Sequence, residues 1–194
     1  MPLTDKLKEA MEEARLKKIK LKLNPRILLS HNIPQPLHGV APRVVLGNKW
    51  WNETRLKAYK STNYHCKVCG VHKYKARGPK HLEGHELYRI NYARGLMTYV
   101  KTAPLCHFCH AYIHDGRLLW LLESRRITFQ RYSAIIQHGD SILQSAGLER
   151  PPMGARLPDR VASWEQWRLI VNGQEFEPKH SSAEEQAGYY SRQG

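Results

Sequence analysis

Hydrophobic positions along the chain change period several times, and each change marks an element. Leu7, Met11 and Ala14 recur at helical spacing behind Thr4, a good capping residue, and predict a helix over residues 4–20. Pro25, Pro34, Pro36 and Pro42 interrupt the next stretch, so residues 24–47 are expected to form an extended arm. Asn48 is suited to cap a short helix over 49–60, in which Trp50, Trp51 and Tyr59 are bulky core candidates. Residues 82–90 and 96–103 read as two strands joined by the turn Asn91-Tyr92-Ala93-Arg94-Gly95. Ala111, Tyr112 and Ile113 predict a short helix that stops near Gly116. Phe129, Tyr132, Ile135 and Ile136 predict the buried face of a helix over 123–137, followed by a shorter one over 140–145. Residues 151–158 read as a linker. Asn172-Gly173, flanked by 167–171 and 174–176, is a strong type I′ hairpin signal, and residues 181–194 are expected to be loosely attached.

Trp50, Trp51, Trp120, Trp164 and Trp167 lie on both sides of residues 64–117. Their large apolar surfaces predict that the flanks fold back on the middle as one α+β unit. The expected organisation is a basic N-terminal helix (1–23), an arm and short helix (24–63), a central module (64–117), a helical segment (118–150), and a C-terminal linker, hairpin and tail (151–194).

Charge adds a partner class. The 194 residues carry a formal net charge of +14. Residues 1–60 hold 13 basic and 5 acidic side chains, residues 61–132 hold 12 and 4, and residues 133–194 hold 6 and 8. The first two thirds are therefore built to meet a polyanion, most simply nucleic acid, with an acidic protein surface as the other candidate partner. No apolar run approaches the roughly 20 residues of a membrane helix. Residues 1–15 lack the apolar core of a signal peptide. A cytoplasmic protein with no membrane partner and no small-molecule cofactor is expected.

The chemistry concentrates in the central module. Cys66, Cys69, Cys106 and Cys109 are the only cysteines and form two C-x-x-C pairs separated by 36 residues. Each pair places two thiolates on one side of a tight turn, and two such turns complete a tetrahedron around Zn²⁺. All four positions are filled by sulfur, so this zinc is expected to be structural, its binding energy being folding energy. Disulfides fit poorly with a cytosolic chain. Beside the second pair, His110 and His114 stand i and i+4 on the predicted helix, so both imidazoles project from one face. His85 lies in the first predicted strand. If the strands pack on that helix, His85 approaches the pair. A base beside a divalent cation, among basic residues, is the equipment for phosphodiester hydrolysis, with Glu86 a candidate to orient an imidazole or complete the coordination.

Cys66-x-x-Cys69, then His85, then Leu105-Cys106-His107-Phe108-Cys109-His110-Ala111-Tyr112-Ile113-His114 resemble the HNH endonuclease superfamily over residues 64–117. The resemblance implies a small ββα-metal module, a hairpin packed on one helix, here with a four-cysteine zinc site and flanked by helices and a C-terminal hairpin. The whole chain looks like phage and bacterial HNH-type proteins, which implies a bacterial or phage-infected cell. Carried over, His85 matches the general base, and His110 and His114 match histidines on the metal face. The family uses one divalent cation (Mg²⁺, Mn²⁺, Ni²⁺ or Zn²⁺) to cut DNA.

Two positions depart from the family pattern. The residue before the base, usually a ligating Asp or His, is Gly84, and the position of the family's bracing Asn is Lys101. Glu86, Glu83 or His81 could resupply the missing ligand. Glu83 shares a strand face with His85 and is the better candidate for the catalytic metal. Arg89, Arg94, Lys101 and Arg117 are the expected phosphate contacts. The alternative reading is a catalytically silent, zinc-stabilised protein that binds DNA or another protein.

Overall fold

A four-stranded sheet in the order β1-β2-β3-β4 organises the chain. It is seen in a computed structural model that describes residues 21–150 and 160–191. The helix expected over 4–20 and the linker expected over 151–158 fall outside those residues. Strands β1 (Glu83–Asn91) and β2 (Leu96–Leu105) form the antiparallel hairpin expected from the sequence. Its turn is tightened by Asn91, whose side-chain oxygen accepts from the Arg94 amide at 3.1 Å. Strands β3 (Arg168–Val171) and β4 (Gln174–Phe176) form the second hairpin. Asn172 and Gly173 both adopt positive φ (51° and 78°), as a type I′ turn requires. This hairpin extends the same sheet, β3 pairing parallel to β2 from Leu96↔Arg168 to Thr98↔Ile170.

Register explains how one sheet serves two cores. Leu87 pairs with Lys101 but Tyr88 pairs with Tyr99, which leaves Val100 as an extra residue in β2. A bulge of this kind reverses which face the following side chains take. Ala103 and Leu105 therefore enter a first core with Leu82, Phe108, Tyr112, Ile135 and the cysteines, while Met97 and Tyr99 belong to a second with Leu37, Trp167, Leu169 and Val171. Simple alternation along β2 could not have shown the switch.

Six α-helices surround the sheet among the described residues. The arm over 24–47 is not extended throughout: it folds into two 3₁₀ turns and the short helix α1 (Pro42–Val45). Its Ile27 and Leu28 are buried in the first core and its Leu37 in the second. Helix α2 (Gly47–Ser61) follows, starting one residue before the expected cap and without a side-chain cap. Trp50 packs edge-on against Tyr99 on the second-core side, with ring centroids 5.6 Å apart.

Helix α3 (His107–Ile113) lies on the opposite face. It does not end at Gly116. It breaks at His114 (φ −91°, ψ 56°) and α4 (Asp115–Glu123) begins at once. The regions expected as 123–137 and 140–145 are one helix, α5 (Phe129–Ser145), capped by Thr128, whose hydroxyl accepts from the Arg131 amide at 3.2 Å. The expected gap at 138–139 is absent because Gly139 serves packing: a Cβ there would overlap the Tyr112 ring. The chain end is also better attached than expected. Helix α6 (Ala183–Ser191) buries Gln186, whose amide donates to the Gln35 carbonyl at 3.0 Å. No helix among the described residues is long and apolar enough to cross a membrane.

Candidate metal centre

The first C-x-x-C turn is closed by backbone bonds from the Cys66 amide to Val71 O at 2.9 Å and from the Gly70 amide to Cys66 O at 3.0 Å. The Lys67 amide donates to Pro104 O at 2.8 Å, which fixes this turn to the end of β2. The second turn grows out of the same strand end: Cys106 is the N-cap of α3 and Cys109 lies in its first turn. The four sulfurs consequently lie within 4.8 Å of one another, largely buried. Cys69 Sγ and Cys106 Sγ are 3.7 Å apart and the thiols are free. Metal–sulfur bonds of about 2.3 Å in a tetrahedron require an S···S edge of about 3.8 Å. The four cysteines are thus placed to hold one metal ion such as zinc. Hydrogen bonds from Cys106, then Cys109, pull Cys66 and Cys69 below the ordinary thiol value, and the same network pushes Cys109 above it. Four thiols crowded this way cannot all ionise without a cation among them. His138 on α5 adds a contact that the sequence reading missed, its Nε2 lying 3.4 Å from Cys109 Sγ.

About one helical turn further along α3 is a second cluster. Ring nitrogens of His85, His110 and His114 lie within 4.8 Å of one another. His85 comes from β1, where pairing with Ala103 turns it toward α3. His110 Nε2 and His114 Nε2 are 3.2 Å apart. Two imidazole nitrogens at that distance need a proton or a cation between them, since two facing lone pairs repel. His85 is 7% exposed, and its Nδ1 has no hydrogen-bond partner. Burial first, then His110 and His114, lowers the His85 pKa to about 3. Burial and His110 lower His114 to about 4. Both rings are therefore neutral near pH 7 and present lone pairs, the form that binds metals.

Glu83 lies two residues before His85, on the same face. Its carboxylate accepts from His107 Nδ1 at 2.7 Å and, through the other oxygen, from His110 Nδ1. Burial alone would raise this carboxyl, but the two imidazole hydrogen bonds outweigh it and hold the group well below the usual carboxylate range. Glu83 therefore meets the cluster through His110, fixing that ring's tautomer so that Nε2 faces His114. His107 completes this arrangement. The sequence reading gave it no role, although it stands three residues before His110, one turn of helix away.

Other candidates are placed elsewhere. Glu86 points to the opposite face of β1, where its carboxylate lies 3.7 Å from the Arg43 guanidinium. It does not join the histidines, because neighbouring strand residues face opposite ways. His81 is exposed and outside the cluster. Gly84 also faces away: a Cβ there would come within 2.9 Å of Trp51 on α2. A side chain at this position would require the Trp51 ring to shift. Arg89, Arg94, Lys101 and Arg117 are all exposed. Arg117 lines a cleft of about 50 Å³ together with Glu83, His107, His110 and His114. Comparison with protein-family models, with curated proteins and with solved structures finds no match for this chain.

Proposed function

We propose that the protein is a zinc-stabilised, metal-dependent DNA endonuclease of the HNH type. The observation that carries this reading is the convergence of His85, His110 and His114 from a β-hairpin and the helix packed on it. Zinc held by Cys66, Cys69, Cys106 and Cys109 would support the fold, and His110 and His114 would hold the catalytic cation. That cation would stabilise negative charge developing on the phosphoryl group and the leaving oxygen. His85, whose ring lies beside those of His110 and His114, is the residue that would accept a proton from the attacking water. The water oxygen bonds to phosphorus as the bond to the leaving oxygen breaks. Glu83 keeps His110 oriented, and exposed Arg89, Arg94, Lys101 and Arg117 draw in the phosphate backbone.

A second reading has its own support. Gly84 supplies no ligand and lies on the face of β1 packed against Trp51, and Glu86 faces away. A catalytically silent DNA-binding protein, or one that binds a protein, would tolerate this arrangement. A plasmid-nicking assay with added Mg²⁺, Mn²⁺, Ni²⁺ or Zn²⁺ separates the two. The nuclease reading expects nicking by the wild type and none by His85→Ala with its fold and metal content intact. Equal inertness of both proteins, with DNA binding retained, would overturn it and leave the silent reading.

A further inference from the structure

The segment that follows α3, part of which lines the histidine cleft, carries an unusual set of side chains. Residues 117–131 contain four arginines, Arg117, Arg125, Arg126 and Arg131, against one acidic residue, Glu123. They also leave two large aromatic side chains in solvent: Trp120 is 48% exposed and Phe129 is 67% exposed. Neither is accounted for by the cores, which take Leu118 from α4 and Ile135 and Leu143 from α5. The Arg126 guanidinium lies over the Trp120 ring, 4.6 Å from its centroid. Arg117 stands three residues before Trp120, hence on the same side of α4. Arg117 and Arg131 both line the cleft that holds His107, His110 and His114.

We propose that this α4–α5 wall is a stacking platform for unpaired nucleobases, which makes a strand with unpaired bases beside the scissile phosphate the preferred substrate. Aromatic faces attract bases of any sequence, but a base offers its own face only when it is out of the double-helical stack. Trp120 and Phe129 provide the faces. The exposed Arg117, Arg125 and Arg126 neutralise the accompanying phosphates, and Arg126 adds a cation–π contact. Four arginines against one carboxylate favour a polyanion as the occupant over an uncharged apolar surface. The cleft beside His107, His110 and His114 is narrow, about 50 Å³, so the bases are placed along its rim rather than inside it.

The stacking rests on the nucleic-acid reading and the substrate preference on the nuclease reading; binding tests the stacking without added divalent cation. The full chain is titrated with a fluorescent oligodeoxythymidylate of roughly 20 nucleotides and with a blunt duplex of equal length. Stacking of this kind accounts for about 1–3 kcal/mol per base. Trp120→Ala and Phe129→Ala should therefore each weaken single-strand binding by about tenfold or more, with duplex binding changed less than about twofold. Trp120→Phe should retain single-strand affinity, which guards against misfolding. Single-strand binding should also quench tryptophan emission, and Trp120→Phe should lose most of that quenching. If both alanine variants leave oligodeoxythymidylate binding unchanged, or weaken the two probes equally, the platform is overturned while the nucleic-acid reading stands. If neither probe binds the wild type, both are overturned.

Discussion

The Glu83 carboxylate takes hydrogen bonds from Nδ1 of both His107 and His110, so one strand residue sets the orientation of two rings on α3. Partners of this kind change metal affinity by about 10- to 100-fold when removed. Glu83→Gln should weaken Ni²⁺ or Co²⁺ binding at the histidine cluster by that factor while the sulfur-bound ion and the melting temperature stay in place. Unchanged affinity in a calorimetric titration would show that His110 needs no orienting partner.

The four cysteines are placed to hold a metal ion, and chelating it should unfold the hairpin–helix unit. Elemental analysis of reduced protein is expected to find one tightly held zinc per chain. Cys66→Ser or Cys106→Ser should abolish cooperative melting, because the ligand set supplies the folding energy. A melting curve unaffected by either substitution would remove the structural role.

Gly84→Asp would add a carboxylate next to His85 in the chain, yet it should do harm. The new Cβ would meet Trp51 at 2.9 Å, on the side of β1 away from the imidazoles. Overpacking of this kind costs about 1–3 kcal/mol. Combining it with Trp51→Ala should cost less than the sum of the two single changes, as chemical denaturation of the four proteins would reveal. A stabilised Gly84→Asp with tighter metal binding would contradict this placement.

Gly139→Ala offers a test of opposite sign to helix propensity. In an open helix the change adds up to about 1 kcal/mol of stability. Here the methyl would overlap the Tyr112 ring, so a loss of at least about 2 kcal/mol is expected. Urea unfolding reads it directly, and a gain would mean that α3 and α5 cross less closely.

Duplex affinity should fall steeply with salt, by about a thousandfold between roughly 50 and 200 mM if six or more phosphates are contacted. Each of Arg89→Ala and Lys101→Ala should reduce the slope of log K against log salt by about one. A flat salt response in the wild type would argue against backbone contacts.

Local chemistry explains which features could be read from the chain alone. The C-x-x-C spacing, the i,i+4 histidines and Asn172-Gly173 each state a constraint within a few residues, and their geometry follows. Features set by distant partners were hidden. Gly139 resembles a helix breaker until the Tyr112 ring is placed against it. The parallel pairing of β3 with β2 joins residues far apart in the chain, Leu96 with Arg168 among them, and no local pattern announces it. The bulge at Val100 hides behind a strand whose pattern otherwise reads as continuous. Glu83 was legible as a face-mate of His85. Its attachment to His107 and His110 was not, because that depends on how α3 docks.

Helix α3 has only 7 residues, yet Cys106 caps it, Cys109 lies within it, His110 projects from it and His114 ends it. The sulfur and imidazole groups therefore share one short rod and cannot drift independently. An oxidant or a thiol-trapping reagent acting on the cysteines would twist that rod and scatter the imidazoles, silencing them from a distance.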